Sequence, residues 1–537
     1  MMKPNFWRWP LLALATLCIA CGGDDEPVTP DKDNNEEENE VEQPAEPPVL
    51  ETDIYTAAPA GTGACRDTYL TLEFKTTPSL GTSGLIRILA ADGAEVDRID
   101  MADVAAVADG VPQLVATSPF TTAMDALGSP ALGRYRIVHY RPVRIDGNRV
   151  TIKPHSGVLE YEATYTVVID ADALVAEGFG GVAGGEWSFT TKSAPASRSS
   201  VSVGESGCDF RTVQGALDYA YECGRDQAVT IDIRNGVYEE PLYLRNKNNL
   251  TLRGESREGT VICFDNCELY ASGVGSGVAT RPEWGAEVGK SGGRAVLLVE
   301  NCDMLRFENL TLENTHGSGS QAEAIYNNDN NGTGRLVFVG CNLLGAQDTL
   351  NLKGYGWFYD CLVAGDVDFI WGSPATVLFE ACEIRSVNGG YLVQARCLER
   401  SAKGFVFLGC DLTEADGSNG NAVYFARSSG SADYYDNVVF VDCTVGEHLS
   451  SQGWYSSPVP NPSAATATAG WREYGLVRNG APFASTSAYC HALTADEAAA
   501  YADRTTIFRS SGRGTEWLVE YPHRLPPSAT PTKLLFL

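Results

Sequence analysis

The fold is decided by a four-residue phrase that recurs in the second half of the chain. Five copies read Phe-x-x-Cys, with a looser sixth upstream: Phe338-Val339-Gly340-Cys341, Phe358-Tyr359-Asp360-Cys361, Phe379-Glu380-Ala381-Cys382, Phe407-Leu408-Gly409-Cys410, Phe440-Val441-Asp442-Cys443 and Val299-Glu300-Asn301-Cys302. The cysteines of the five close copies are 20, 21, 28 and 33 residues apart. Short β-rich repeats whose length varies at the joins predict a parallel β-helix, in which each coil hydrogen-bonds to the next.

The repeat cysteines are predicted to be buried free thiols. Equivalent positions in successive coils stack as an interior column, where a thiol behaves as a small hydrophobic group. The chain has 15 cysteines, and setting aside the two in its N-terminal apolar segment leaves an odd number that cannot pair completely. Disulfides between Cys263 and Cys267, or between Cys208 and Cys223, stay open. No Cys or His spacing suits zinc, so we expect no metal.

The composition of the 537-residue chain changes along its length, which indicates several domains. We expect a signal peptide over 1–20, an acidic disordered tether over 21–49, a small β-sandwich over 50–195 and the β-helix over 196–537. Short alternating strands at 70–74, 85–89, 150–152, 164–169 and 186–191 are typical of a sandwich. The segments 161–166 and 187–191 resemble bacterial Ig-like domains, which usually act as spacers beside surface enzymes.

The N-terminus has the layout of a secretory signal, because Lys3 and Arg8 precede the apolar run Trp9 to Ala20. The run ends in Leu17-Cys18-Ile19-Ala20-Cys21-Gly22, which resembles the cleavage box of a bacterial lipoprotein with Cys21 as the lipidated residue. An ordinary signal peptide is the alternative. We therefore expect a monomer anchored by lipid to the bacterial outer membrane, on its cell-surface or periplasmic face, with no other membrane contact.

The charge balance excludes one class of partner. The chain has 69 acidic and 40 basic residues, a formal net charge of −29 at pH 7. A nucleic-acid-binding protein needs a basic footprint, so we expect no nucleic-acid partner.

The ends of the β-helix need covering, and helical spacing near 210–223 and 494–502 predicts short helices there.

Two aspartates share one position of the repeat. Asp348 and Asp368 each lie seven residues after a repeat cysteine, Cys341 and Cys361. Equal offsets in consecutive coils place them in one column, with strands about 4.8 Å apart. Adjacent carboxylates repel, so one holds its proton more tightly, as a nucleophile paired with a general acid requires. Either Asp alone could simply close a turn. Gly389 has the same offset in the next coil and is expected to leave open space.

The segments around these aspartates resemble the pectin methylesterase family. They are Gly345-Ala346-Gln347-Asp348-Thr349-Leu350, Asp366-Val367-Asp368-Phe369-Ile370-Trp371-Gly372, Asn314-Thr315 with Gln321-Ala322-Glu323-Ala324, and Gly236-Val237-Tyr238-Glu239-Glu240. The resemblance covers about 203–508 and keeps the order of the motifs. It implies an all-β chain with a right-handed parallel β-helix of the pectin-lyase type, preceded by the small Ig-like sandwich.

The resemblance also implies a reaction without a cofactor. Asp368 would attack the methyl-ester carbonyl of galacturonate in pectin, and Asp348 would protonate the departing methanol and then activate water. Gln347 and Gln321 would donate hydrogen bonds to the oxyanion, a task that suits preorganised amides. The expected partner is pectin or a homogalacturonan-like polysaccharide.

Two further positions complete the predicted site. An Arg is expected to hold the nucleophile ionised, and Arg427 is the preferred match, with Arg396 as the alternative. The family usually has Gly-Arg-Pro-Trp where this chain has Ala426-Arg427-Ser428-Ser429, which removes an aromatic sugar contact. Trp371 is predicted to contact the sugar chain, although an aromatic on a coil often only packs.

Three other functions stay open from the sequence. A β-helical polygalacturonase could use the two aspartates as acid and base, and His316 after Asn314-Thr315 is faintly similar to that class. The string Gly289-Lys290-Ser291-Gly292-Gly293 has the spacing of a serine nucleophile, but a Gly-rich stretch precedes it where a strand is needed. A non-catalytic glycan-binding protein of the cell surface is the third.

Overall fold

The computed structural model describes residues 48–106, 124–128, 135–270, 278–279, 293–329, 331–416 and 422–518. The predicted signal peptide, its Cys21 and nearly all of the acidic tether lie outside these residues, as does Ser291. Within them, no helix is both long and apolar enough to cross a membrane.

The N-terminal region contains two five-stranded sheets. The first has the order Leu50–Glu51, Tyr55–Ala58, Leu70–Phe74, Arg149–Ile152, Val143–Asp146, and the second Gly61–Ala64, Val182–Thr191, Thr164–Ile169, Leu85–Ala90, Glu95–Asp100. Apolar residues of both sheets share one core, in which Trp187 is fully buried and donates its indole N–H to the carbonyl of Pro59 (2.7 Å). Every strand predicted in this region is present, as the alternating pattern requires.

Smaller elements accompany this sandwich. Ser79–Leu80 pairs with Leu174–Val175, Met101–Ala106 is a short helix, and Met124–Leu127, Tyr135–His139 and Val278–Ala279 form an antiparallel sheet. The last of these strands comes from the β-helix region of the chain, so this small sheet joins the two parts. The Ig-like assignment stays a prediction.

The rest of the described chain is a parallel β-helix, which confirms the predicted fold class. Twenty-five strands form one continuous sheet in which strands of adjacent coils pair in parallel, apart from Ala481–Pro482, which pairs antiparallel with Val477–Arg478. They are Ser200–Val203, Val229–Ile233, Gly236–Glu239, Leu242–Arg245, Asn248–Gly254, Thr260–Phe264, Leu297–Glu300, Asp303–Glu308, Thr311–Asn314, Ile325–Asn328, Arg335–Val339, Asn342–Leu344, Leu350–Tyr359, Leu362–Glu380, Glu383–Ala395, Gly404–Leu408, Asp411–Glu414, Val423–Arg427, Val438–Val441, Thr444–Val445, Trp454–Tyr455, Trp471–Tyr474, Val477–Arg478, Ala481–Pro482 and Cys490–Ala492.

The Phe-x-x-Cys phrase forms two columns inside this β-helix. Six phenylalanine rings stack face to face with centroids 4.3–4.9 Å apart: Phe307, Phe338, Phe358, Phe379, Phe407 and Phe440. The five close-copy cysteines are buried free thiols, as are Cys208, Cys223, Cys263 and Cys267. The open disulfide pairings are therefore not formed in this structure.

The sixth copy of the phrase was assigned to the wrong segment. Phe307 pairs with Phe338, so the residue equivalent to Cys341 is Leu310. Cys302 lies in another column, where its Sγ accepts from the backbone N–H of Lys247 at 3.4 Å. Leu and Cys fill the interior column equally well because both are apolar, so a search for cysteine alone misplaced this coil.

The predicted end helices are present. Val213–Glu222 is capped by Thr212, whose hydroxyl accepts from the N–H of Gly215 at 3.0 Å. Ala495–Ala498 starts with a capping box between Thr494 and Glu497 and continues as the 3₁₀ turn Ala499–Tyr501, and Arg504–Arg509 follows.

Candidate active site

The two predicted aspartates are neighbours in consecutive coils. Leu350 pairs with Ile370 in the ladder, and each residue lies two positions after its aspartate. The backbone N–H of Asp348 donates to the carbonyl of Val367 at 3.0 Å. Both aspartates are about 95% buried and have left-handed backbones, with φ of 66° for Asp348 and 50° for Asp368. A left-handed non-Gly residue costs of order 1–3 kcal/mol and is concentrated at functional sites.

The prediction for Gly389 was wrong. Val367 pairs with Tyr391, and Trp371 pairs with Gln394, with register shifts between them. In the next coil, more residues lie between the repeat cysteine, Cys382, and this column than in the two preceding coils. The residue seven positions after Cys382 therefore lies before the column. The partly exposed ring of Tyr391, rather than open space, therefore lies alongside Asp368 on that side.

A guanidinium and an amide fix the Asp368 carboxylate. Arg427 Nε lies 2.9 and 3.0 Å from the two carboxylate oxygens, and its Nη2 donates to Oδ2 at 2.5 Å. Gln394 Nε2 donates to the same Oδ2 at 2.8 Å. Arg396 donates instead to Gln394 Oε1, with its Nε at 2.8 Å, and so orients the amide. Of the two candidate arginines, the structure thus places Arg427 on Asp368.

A second guanidinium, Arg294, connects the other groups. Its Nη2 lies 3.2 Å from Asp348 Oδ2, and its Nη1 donates to Gln321 Oε1 at 2.5 Å. Its Nε donates to both oxygens of the fully buried Glu323, at 2.9 and 3.0 Å, and Nη1 also donates to Glu268 at 2.7 Å. A buried charge is tolerated only when it is paired and hydrogen-bonded, and each carboxylate here meets that condition through Arg294.

These different partners separate the two carboxylates electrostatically. The pKa of Asp348 is raised to about 8, chiefly by burial and also by the charges of Glu323 and Asp368, while Arg294 opposes the rise. Burial also raises the pKa of Asp368, but the hydrogen bonds and charge of Arg427 oppose that effect directly. A protonated acid beside an Arg-paired carboxylate is the division of roles that acid-assisted nucleophilic attack requires.

The two predicted amide donors are present at this site. Gln321 and Gln347 are both partly exposed, and the backbone carbonyl of Gln347 accepts from the N–H of Ala322 at 3.1 Å. Because Gln321 Oε1 accepts from Arg294, its amide N–H₂ is turned away from that guanidinium. The amide is therefore preorganised to donate to a third group.

Aromatic rings line both sides of the aspartates. Trp371 is only 8% exposed and lies between the guanidiniums of Arg396 and Arg294, 4.8 and 5.8 Å from its ring centroid. On the other side, partly exposed Tyr391, Tyr424 and Tyr455 form a cluster with centroids 5.1–6.0 Å apart. The sugar contact of Trp371 stays a prediction, and the tyrosine cluster offers aromatic surface that the sequence did not indicate.

One glycine of the motif has a clear steric cause. Gly372 has a φ of 132°, and a Cβ there would lie 2.1 Å from the carbonyl oxygen of Leu352 in the preceding coil. Any side chain would push the two coils apart where Asp348 and Asp368 must stay adjacent. The glycine therefore preserves the spacing of the carboxylate pair.

Sequence reasoning missed three residues of the site: Arg294, Glu323 and Gln394. Glu323 lies in the segment Gln321-Ala322-Glu323-Ala324, and Gln394 lies two residues before the candidate Arg396, so their positions one coil from the aspartates could have indicated them. Arg294 directly follows the string Gly289-Lys290-Ser291-Gly292-Gly293, and no local signal linked it to Asp348. His316 belongs to a neighbouring cluster, with its Nδ1 2.9 Å from Asp265. Among the described residues, no cluster of acids, cysteines and histidines could hold a metal ion.

Comparisons with known proteins show which family this chain is similar to. Residues 200–507 match the family model Pectinesterase. The chain is 33% identical over 252 residues to Pectinesterase 31 of Arabidopsis thaliana, covering 46% of this chain and 74% of that one. It is 27% identical over 324 residues to Probable pectinesterase 8 of the same plant, covering 58% and 74%. A solved pectin methylesterase from Aspergillus niger is 24% identical, with 59% and 96% covered and a TM-score of 0.47.

Proposed function

The chain belongs to the pectinesterase family, whose members are carboxylic ester hydrolases, and we propose that Asp368 and Asp348 carry out its hydrolysis of pectin methyl esters. The observation that carries this assignment is the pair of adjacent buried carboxylates with different partners. Asp368 is held by Arg427, whereas Asp348 is buried beside Glu323 and holds its proton.

The first half of the reaction forms a covalent intermediate. An oxygen of the Asp368 carboxylate attacks the ester carbonyl carbon, and the resulting oxyanion accepts hydrogen bonds from the amides of Gln321 and Gln347. The bond to the methoxy oxygen then breaks as Asp348 gives that oxygen its proton, which releases methanol. The products are an anhydride between Asp368 and the galacturonate, and an ionised Asp348.

The second half restores both carboxyl groups. Ionised Asp348 takes a proton from water, and the hydroxide adds to the galacturonate carbonyl. The anhydride bond breaks, Asp368 leaves as a carboxylate, and Asp348 is again protonated. Arg427 stabilises the Asp368 carboxylate in the resting state and when it leaves, since its bidentate geometry matches that charge.

Substrate contact is assigned to the aromatic surfaces beside this pair. Trp371 is 8% exposed beside the aspartates, and the tyrosines 391, 424 and 455 extend from Arg427 along three adjacent coils. Aromatic rings offer an apolar face to sugar C–H groups and a hydroxyl at the edge. A polysaccharide chain of pectin would therefore lie across the coils, with one ester at Asp368.

We also propose that the lipoprotein motif at Cys21 holds the enzyme at the bacterial outer membrane. Asp24, Asp25 and Glu26 follow the cysteine, and similar acidic residues accompany surface export in some Gram-negative lipoproteins. Labelling with radioactive palmitate and membrane fractionation of the wild type and Cys21→Ser test this. Release of the Cys21→Ser chain into the soluble fraction is expected; equal membrane retention of both would refute the anchor.

The reaction itself is tested by following two products at once. Methyl-esterified homogalacturonan is incubated with the full chain, methanol is measured, and polymer length is followed by size-exclusion chromatography. We expect methanol with no loss of length. Chain shortening with new reducing ends would instead indicate a glycosidase, and binding with neither product would indicate a non-catalytic glycan-binding protein.

A further inference from the structure

The N-terminal region inserts one side chain into the β-helix behind the catalytic site. Arg136, on the strand Tyr135–His139, is fully buried. Its Nη1 donates to the carbonyls of Leu242 (2.6 Å) and Val296 (3.1 Å), and its Nη2 to those of Gly293 (3.1 Å) and Ala295 (2.5 Å). A guanidinium has five N–H donors in a rigid fork, so one side chain holds four carbonyls in a fixed relation.

Two of those carbonyls belong to the residues on either side of Arg294. Asn266 Nδ2 donates to the same carbonyls of Gly293 and Ala295, each at 3.0 Å. The N–H of Val296 donates to the carbonyl of Glu323 at 2.9 Å, which ties the segment to the coil that carries Gln321. The backbone from which Arg294 projects is thus fixed from both sides, and Arg136 is the contribution of the N-terminal region.

Apolar packing reinforces this attachment. Leu127 and Val138, which flank Arg136 in the same small sheet, form one buried cluster with Ala295, Leu298, Tyr243, Tyr326 and Trp371. Leu127 pairs directly with Arg136 in the antiparallel ladder. The N-terminal region therefore supports both Arg294 and the ring of Trp371, which packs against that guanidinium.

We infer that Arg136 is a positioning residue for the esterase, and that the N-terminal region acts on the active site through it instead of serving only as a spacer. This inference rests on the proposed function. Arg294 holds Asp348 and fixes the amide of Gln321, so its placement sets both the acid and one oxyanion donor. Without Arg136, the segment 293–296 loses three hydrogen bonds and Arg294 moves away from both groups.

Two kinetic consequences separate this role from a purely structural one. A misplacement of about 1 Å in a catalytic group can cost about 10²-fold, so Arg136→Met is expected to lower kcat by about that factor with little change in KM. Arg294 also holds down the pKa of Asp348, so its displacement should move the alkaline limb of the kcat profile to higher pH. A loss of stability alone would lower the melting temperature without moving that limb.

Arg472 provides a matched control. It is equally buried and donates to the carbonyls of Gly470 and Lys403, each at 3.1 Å, and to the hydroxyl of Tyr501 at 2.6 Å. Its partners lie outside the set of residues that contact Asp348 or Asp368. Replacing Arg472 with Met or Lys thus removes a buried guanidinium of the same kind from another part of the β-helix.

The experiment measures methanol release by the full chain against pH for the wild type and for Met and Lys variants at positions 136 and 472, with melting temperatures recorded for each. The inference is supported if only the variants at position 136 have a lower kcat and an alkaline limb shifted to higher pH. Lys at position 136 should restore part of the wild-type kcat and pH profile. Unchanged kinetics at position 136, or the same changes at position 472, overturn it. If Arg136→Met does not fold, Arg136→Lys decides. If Asp368→Asn keeps its activity, the proposed function fails. If Asp368→Asn is inactive while the variants at position 136 have the kinetics of the wild type, only this inference fails.

Discussion

Replacing the buried acid, Asp348→Asn, should stabilise the folded chain while abolishing turnover. Asp348 is 4% exposed, and burial raises its pKa to about 8 from an ordinary value of 3.8. Between these two pH values the folded chain keeps a proton that the unfolded chain releases. Stability from this group is therefore complete below about pH 4 and is lost progressively as the pH rises to about 8.

The size of the effect follows from the same interval. One proton difference changes the free energy of unfolding by about 1.4 kcal/mol per pH unit, so roughly four pH units correspond to about 6 kcal/mol. Asn cannot ionise and keeps a similar shape, so the variant escapes this loss. The gain of Asp348→Asn over the wild type should thus be small near pH 4 and grow until about pH 8.

Thermal unfolding of the two full-length proteins, at half-unit steps from pH 4.5 to 8.5, measures this gain. Asp433→Asn is the control, because Asp433 is exposed and the same Asp-to-Asn change is made there away from the buried site. A melting-temperature difference between Asp348→Asn and the wild type that stays constant over this range would refute the reasoning. It would mean that Asp348 is ionised in the folded chain.

Three further predictions concern the site and the core. Arg427→Lys loses the bidentate contact with Asp368 and should shift the acid limb of the kcat/KM profile to higher pH by about 1–3 units. Arg396 contacts Gln394 instead, so Arg396→Lys should shift the acid limb less. Gln321→Ala and Gln347→Ala should each lower kcat by about 10²–10³-fold, as measured by methanol release at saturating pectin. Phe379→Ala should cost about 3–5 kcal/mol in denaturant unfolding and leave the pH profile unchanged, because its ring stacks on two neighbours at 4.6 and 4.9 Å. An unchanged acid limb in Arg427→Lys would contradict the first expectation, and an unchanged kcat in the Gln→Ala variants the second. An altered pH profile in Phe379→Ala would contradict the third.

The parts of the fold that were predictable are those set by local repetition. Strand spacing in a parallel β-helix is fixed, so equal offsets from Cys341 and Cys361 were sufficient to place Asp348 beside Asp368. The same reasoning failed at Gly389, because a longer coil and its register shifts brought Tyr391 to that position. A count of residues predicts a column only while successive coils have equal length.

The residue type alone did not reliably indicate which position of the coil a residue occupies. Cys302 has the residue type of the repeat but lies in another column, while Leu310 fills the expected one. The interior selects for apolar character and size, and Leu satisfies both. The stacked phenylalanines, which begin at Phe307, follow the register more faithfully because a ring stacks only on a ring in the equivalent position.

Long-range partners could not be predicted. Arg427 was preferred over Arg396, and the structure places it on Asp368, but the choice depended on the family motif and not on spacing. Arg294 reaches Asp348 from a coil about 50 residues earlier, and Arg136 from outside the β-helix altogether. Such contacts depend on how separate segments pack, which no periodicity records.

The most direct measurement of the central claim compares turnover and binding in Asp368→Asn. The full-length variant and the wild type are assayed for methanol release from methyl-esterified oligogalacturonate, and binding of the same oligomer is measured by calorimetry. The account predicts a loss of turnover of about 10⁴-fold or more with binding retained within a few fold, because Asn keeps the shape of the site but cannot attack the ester. Methanol release by Asp368→Asn at a rate near that of the wild type would contradict it.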